Sequence, residues 1–301
     1  MSALPASLPE CLPLHHGGTL LHGRVTYTDV GPADGEPVVV LGGVSARAPL
    51  DWWPGVVGEG HSLDPARKRL ISIGYLTVPG VDPRDQAHAV IAVLDHLGIG
   101  RASVVGASYG GMVALALAAV ASARIDRLVV LAAAHRPHPL GTAWRTVQRR
   151  ILALGRRAGD EAEAVALARM LAMTTFRTPE EFAARFGGPV ELDGDGVRAP
   201  VDGYLAHHGA KYVQRFRAAE VSALLGSIDL HAVEPAHVTV PTHLIGFRRD
   251  ALVPVPLLQE LADALPTCLS FTILDSVHGH DGFLTDADRV DPLIRCALEA
   301  P

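Results

Sequence analysis

Ser108 lies in Val104-Val105-Gly106-Ala107-Ser108-Tyr109-Gly110-Gly111, a G-x-S-x-G pattern between a β-branched run and an alanine- and leucine-rich run. A serine held on so tight a strand-to-helix turn presents its hydroxyl as a nucleophile, and its neighbours must be small for the turn to close. Serine at its free pKa attacks poorly and needs a base, itself oriented by an acid. Asp250, in Phe247-Arg248-Arg249-Asp250-Ala251-Leu252-Val253-Pro254, is the candidate acid. The segment Asp275-Ser276-Val277-His278-Gly279-His280-Asp281-Gly282-Phe283 offers two bases, His278 and His280, and spacing alone does not choose between them. The pair also has the form H-x-H, but no acid or cysteine clusters at a spacing that would complete a metal site. The remaining histidines, His135, His138, His207 and His208 among them, read as polar loop or cap residues.

Acyl chemistry also needs two backbone donors for the oxyanion. One is the amide of Tyr109, directly after the serine. The other is expected from Leu41-Gly42-Gly43-Val44-Ser45, with Gly42 as the candidate, although the sequence does not say which amide of that loop points inward.

The elements that must hold these groups follow from periodicity. Short apolar, largely β-branched runs at residues 24–30, 38–41, 70–76, 102–105 and 127–131 alternate with helical patterns at 85–97 and 112–123. That rhythm predicts a mostly parallel sheet with helices on both faces. Strand signal then fades between about residues 137 and 229, where helices are expected at 144–154, 161–173 and 180–186. It resumes with strands at 242–246 and 269–274 and helices at 256–265 and 286–300. The expected organisation is a core of residues 1–136 and 230–301 with a helical cap, 137–229, inserted over the site. Each proposed catalytic residue then follows a strand, in the chain order serine, acid, histidine.

Bulk properties narrow the function classes. A formal charge of −6 over 301 residues argues against nucleic acid as the main partner. The uncharged stretch between Arg101 and Arg124 is long enough for a bilayer, but Gly106, Gly110 and Gly111 break it into strand, turn and buried helix, so no membrane association is expected. Cys11, Cys268 and Cys296 are few and odd in number, which suits a reducing compartment. The N-terminus lacks a basic and apolar leader, and the expected location is cytoplasmic. No prosthetic group is implied by any glycine loop or ligand cluster.

Several further segments resemble the homoserine O-acyltransferases of the α/β-hydrolase fold. They are Asp51-Trp52-Trp53 through Gly58-Glu59-Gly60 and Leu63-Asp64, the serine turn with Met112 after it, and Ala133-Ala134-His135-Arg136. Ala168-Arg169-Met170, Thr175-Phe176-Arg177-Thr178-Pro179-Glu180 and the terminal Gly279-His280-Asp281-Gly282-Phe283-Leu284 continue the likeness, which runs from about Leu20 to Leu293. It selects His280 over His278. His135-Arg136-Pro137-His138-Pro139 and the compact length look most like the short branch described as homoserine O-succinyltransferases. The resemblance implies a homodimer and an acyl group, succinyl before acetyl, passed from acyl-CoA through Ser108 to L-homoserine in methionine biosynthesis, with a serine esterase as the alternative. It implies that Arg177 binds the acceptor's carboxylate and Asp281 its ammonium. Phe176 stands where the family usually has tyrosine, and the loop after Gly43 is trimmed, so the acyl donor is open. Arg47 or Arg169 is the cation available to a succinyl carboxylate.

Overall fold

The computed structural model describes residues 3–299. Its eight-stranded sheet comprises β1 (Leu4–Ser7), β2 (Arg24–Val30), β3 (Glu36–Leu41), β4 (Lys68–Ile73), β5 (Ala102–Ala107), β6 (Ile125–Leu131), β7 (Thr242–Phe247) and β8 (Cys268–Leu274). The order across the sheet is β1-β2-β4-β3-β5-β6-β7-β8. β2 is antiparallel to both β1 and β4, and every neighbouring pair beyond β4 is parallel. This is the α/β-hydrolase fold.

The central strands read as continuous apolar runs because both faces are covered: every residue of β5 and of β7 is buried. Side chains alternate between the faces. Val39, Leu41, Val104, Val130 and Leu244 pack with α1 (Pro83–His96) and α2 (Tyr109–Val120), whereas Val38, Val40, Val105, Leu131 and Ile245 pack with the C-terminal helix at Ala287–Glu299. The uncharged stretch from 101 to 124 is β5, a turn and α2. No helix among the described residues is long and apolar enough to cross a membrane.

Between β6 and β7 the chain forms the cap: α3 (Pro139–Ala158), α4 (Glu161–Phe176), α5 (Pro179–Phe186), α6 (Asp202–Val213) and α7 (Ala218–Asp229). α3 runs well past both expected ends. It begins at a proline capped by His138 and stops at Gly159, whose φ of 75° no other residue adopts as readily. α6, α7 and a small hairpin pairing Glu191–Asp193 with Gly196–Arg198 went unread in the sequence. The strand β1 also went unread. The chain then completes the core with α8 (Val255–Ala264), α9 (Gly282–Thr285) and α10 (Ala287–Glu299); Ala300, the expected last residue of that helix, lies outside the described residues.

A buried charge cluster fastens the cap together. Asp229, in the last turn of α7, accepts hydrogen bonds from Arg145 Nε at 2.7 Å and Thr142 Oγ1 at 2.9 Å, and pairs with Arg149, all on α3. The Arg145 and Asp229 side chains are only 10% and 13% exposed, so removing one partner strands a buried charge. Asp229→Ala is therefore expected to destabilise the protein by about 3 kcal/mol, read as a lower urea midpoint; a change within about 0.5 kcal/mol, the range of ordinary surface substitutions, would contradict this role.

Candidate active site

The turn after β5 is strained. Ser108 has φ 54° and ψ −121°, a conformation unfavourable for a residue with a side chain and tolerated where the surroundings enforce it. Two glycines make it possible. A Cβ on Gly106 would lie 2.4 Å from the Gly110 carbonyl oxygen, and one on Gly110 would lie 2.2 Å from that of Leu41. The turn is held in place by Ser108 N–H donating to Leu131 O at 2.8 Å, and Gly111 and Met112 begin α2 by donating to Ser108 O.

Three strand ends converge on that serine. Ser108 Oγ lies 2.8 Å from His280 Nε2, and His280 Nδ1 lies 2.7 Å from Asp250 Oδ2. The other Asp250 oxygen accepts the Leu252 and Val253 amides at 2.8 and 3.0 Å, which holds the carboxylate in place against His280. His280 and Asp250 are 5% and 3% exposed. Burial disfavours the imidazolium, but the charge and hydrogen bond of Asp250 outweigh it, so the His280 pKa is raised above the ordinary 6.5. This is the order Ser–His–acid needed for proton shuttling. His278 points elsewhere: its Nδ1 lies 3.0 Å from Glu181 Oε2 on α5.

The serine opens into a cavity of about 360 Å³ roofed by α3, α4, α6 and α7. The amide of Tyr109 begins α2, where an N–H has no intrahelical partner and is free to face an oxyanion. Of the loop after β3, Gly43 and Val44 line the cavity, and the Cβ position of Gly43 is 4.0 Å from Ser108 Oγ. Gly42 is set back from the cavity lining: it packs against Trp52, and its carbonyl accepts the Tyr75 hydroxyl at 2.6 Å. The close glycine of the pair is thus Gly43.

Arg177 and Asp281 both line this cavity, beside His280. They face each other, with Arg177 Nε 2.9 Å from Asp281 Oδ2. The N–H is not aimed at the oxygen, however, so the contact is an ion pair and Arg177 Nε is buried without a hydrogen bond. Arg177 Nη1 instead donates to Glu181 at 3.1 Å. Burial pushes the Asp281 carboxyl above its ordinary value, against the pull of Arg177, His280 and Arg169.

Sequence reasoning undervalued several lining residues. His138 and His208 both face the cavity. Burial and the nearby Arg169 push the His208 pKa down to about 4, so that ring is neutral at pH 7. Arg169 lies between the rings of Phe176 and Tyr212, 5.3 and 4.9 Å from their centres, and the Phe176 ring lies 6.0 Å from that of His280. The wide spacing of these residues along α4 and α6 gives no local signal. Away from the site, His15, His16 and Asp82 bring potential metal-ligating atoms within 4.8 Å of one another. There His15 Nε2 already contacts Arg84 Nη1 at 2.5 Å, a donor where a coordinated ring would need to carry its own proton.

His280 must be neutral to accept a proton, so activity is expected to fall as pH drops through its raised pKa. The acid limb of kcat/KM against pH should lie above 6.5. Asp250→Asn should lower kcat by roughly 10⁴-fold and move that limb downward. A limb that stays in place in the variant would show that Asp250 does not set the basicity of His280.

A family model described as the alpha/beta hydrolase fold matches residues 81–287. The chain is 41% identical to the homoserine O-succinyltransferase of Xanthomonas campestris over 302 residues, covering 95% of this chain and 82% of that protein. It is 32% identical to the homoserine O-acetyltransferase of Thermus thermophilus over 282 residues, covering 82% of this chain and 72% of that one. Among solved structures, the homoserine O-acetyltransferase of Bacillus anthracis aligns with a TM-score of 0.88 at 15% identity, covering 99% of this chain and 97% of that one. Esterase E22 also gives 0.88, at 17% identity, covering 99% and 100%. Likeness at these identities establishes the fold, which transferase and esterase share; the sequence relatives are the discriminating evidence. The chain belongs to the homoserine O-acyltransferase family of the α/β-hydrolase fold.

Proposed function

We propose that this protein moves an acyl group, succinyl in preference to acetyl, from acyl-CoA to the hydroxyl of L-homoserine through an acyl-Ser108 intermediate, a step of methionine biosynthesis. The observation that carries the reading is the Arg177–Asp281 pair beside His280, whose side chains are 17% and 12% exposed. A hydrolase needs only the triad and an oxyanion hole. A transferase must hold an amino acid well enough that its hydroxyl outcompetes water, and a zwitterion calls for opposite charges side by side. Arg177 Nη2 donates no hydrogen bond among the described residues, and the Arg177 Nε hydrogen is unused. Both suit the acceptor's carboxylate, while Asp281 suits its ammonium.

The geometry supports the following steps. Ser108 Oγ attacks the thioester carbonyl carbon as His280 Nε2 takes its proton. The amide of Tyr109 and one from the Gly43–Val44 loop hold the oxyanion, and collapse expels the thiolate, which receives the proton from His280. The homoserine hydroxyl then attacks the acyl-serine, again losing its proton to His280. The second collapse releases the O-acyl product and returns the proton to Ser108.

Arg169 supports the preference for succinyl. It is half-buried, lines the cavity and donates to Ser45 Oγ at 3.3 Å, and among the described residues no carboxylate forms an ion pair with it. The terminal carboxylate of a succinyl group would supply the missing charge; acetyl has none to offer.

The test is CoA release by the purified protein with succinyl-CoA or acetyl-CoA, each with and without L-homoserine. Homoserine-dependent release that is faster with succinyl-CoA is expected. Ester cleavage with no dependence on homoserine would instead make the protein a serine hydrolase. Arg177→Lys keeps the charge but loses the planar fork, and it should raise KM for homoserine about tenfold.

A further inference from the structure

A ladder of rings and guanidinium groups leads from the catalytic histidine to the surface. Beyond Arg169 and Tyr212, the Phe216 ring stacks on Tyr212 at 4.4 Å, and Arg47 lies over Phe216 at 4.5 Å. Arg215 approaches the same ring at 5.9 Å and also lines the cavity. Arg47 and Arg215 are both exposed, whereas Phe216 is buried beneath them. Arg47 Nη2 donates to the Arg215 backbone carbonyl, so the loop after β3 and the segment after α6 hold each other in place.

Two features make this more than a solvated surface. Among the described residues, neither Arg47 nor Arg215 forms an ion pair with a carboxylate, although acids outnumber lysines and arginines by 32 to 26 in the chain. Stacking on a shared ring also restricts both guanidinium groups, which lowers the entropy lost when an anion binds. The inner arginines have other neighbours: Arg177 faces Asp281, and Arg169 lies over Phe176 and Tyr212 in the cavity wall. The outer pair is thus free to serve a second, more distant anion on a ligand that also reaches Ser108.

We propose that Arg47 and Arg215, both stacked over the Phe216 ring at the cavity mouth, bind the phosphate groups of the acyl donor's nucleotide portion. The inference rests on the acyl-CoA reading above and adds a site to it. The donor enters with its thioester at Ser108, its flexible arm beside Tyr212 and Phe216, and its phosphates between the two arginines. Guanidinium forks suit phosphate oxygens, and an exposed pair of this kind weakens as salt screens it.

The test compares CoA with pantetheine, which has the same thiol arm and no nucleotide or 3′-phosphate, in the wild type and in the Arg47→Ala/Arg215→Ala variant. Binding is measured by calorimetry at low and high salt. The wild type is expected to bind CoA at least about tenfold more tightly than pantetheine, roughly 1.4 kcal/mol, with the ratio shrinking at high salt and lost in the variant. An Arg47→Lys/Arg215→Lys variant should recover part of it. A CoA-to-pantetheine ratio that is the same in wild type and alanine variant would overturn the site, as would a loss of affinity for both ligands equally. Turnover of succinyl-pantetheine with homoserine tests the parent reading separately. Transfer from this thioester alongside an unaltered binding ratio would leave the reaction standing and remove the phosphate site.

Discussion

Ser108 keeps a backbone conformation that costs a residue with a side chain about 1–3 kcal/mol, and the geometry of the site depends on that conformation surviving. The strain lifts the hydroxyl clear of β5 and brings it within 2.8 Å of His280, with the Tyr109 amide at the start of α2 left without an intrahelical partner. Nothing local relieves it. It persists because β5 lies between β3 and β6 in a sheet buried on both faces, and because Gly106 and Gly110 let the turn close against the backbone of β3. A side chain at either glycine would have to displace main chain, so packing and chemistry are coupled there. The same sheet delivers the other triad members, Asp250 after β7 and His280 after β8, which explains how residues 172 apart in sequence make one hydrogen bond.

In the proposed mechanism the triad gives reactivity and the surrounding charges give it a direction. An acyl-serine beside bulk water would hydrolyse, so a transferase needs an acceptor bound in preference to water. The cap roofs the cavity, and α5 supplies Glu181, which occupies His278 and part of Arg177. This arrangement keeps His278 turned away from Ser108 and holds Arg177 beside Asp281. The Arg177–Asp281 pair carries incomplete hydrogen bonding in a buried setting, an arrangement that a zwitterionic ligand would complete.

Much of the fold was legible because its central strands are continuous apolar runs and the serine turn has a steric signature. Ser108, Asp250 and His280, which the structure brings into one hydrogen-bonded chain, could be named from strand ends and chain order, with the family resemblance choosing His280. The missed parts share a physical cause. β1 carries Pro5 and pairs only at the sheet edge, so neither composition nor alternation marks it. α6 contains Gly203 and Gly209 and gains its order from packing against α4, as Gly209 approaches the Ala166 backbone closely. Gly42 and Gly43 are equivalent as sequence; only Trp52 and the Tyr75 hydroxyl, brought in by tertiary structure, decide that Gly43 is the one beside Ser108. The pairing of Arg177 with Asp281 joins residues 104 positions apart and has no local signal at all.

The most direct measurement is the intact mass of the protein after rapid mixing with succinyl-CoA, followed by quenching at increasing times with and without L-homoserine. A succinyl adduct on Ser108 should accumulate when homoserine is absent, disappear much faster when it is present, and never form in Ser108→Ala. An adduct that decays at the same rate with and without homoserine would contradict acceptor-directed transfer. Homoserine-dependent turnover in Ser108→Ala, with no adduct, would contradict the acyl-serine route itself.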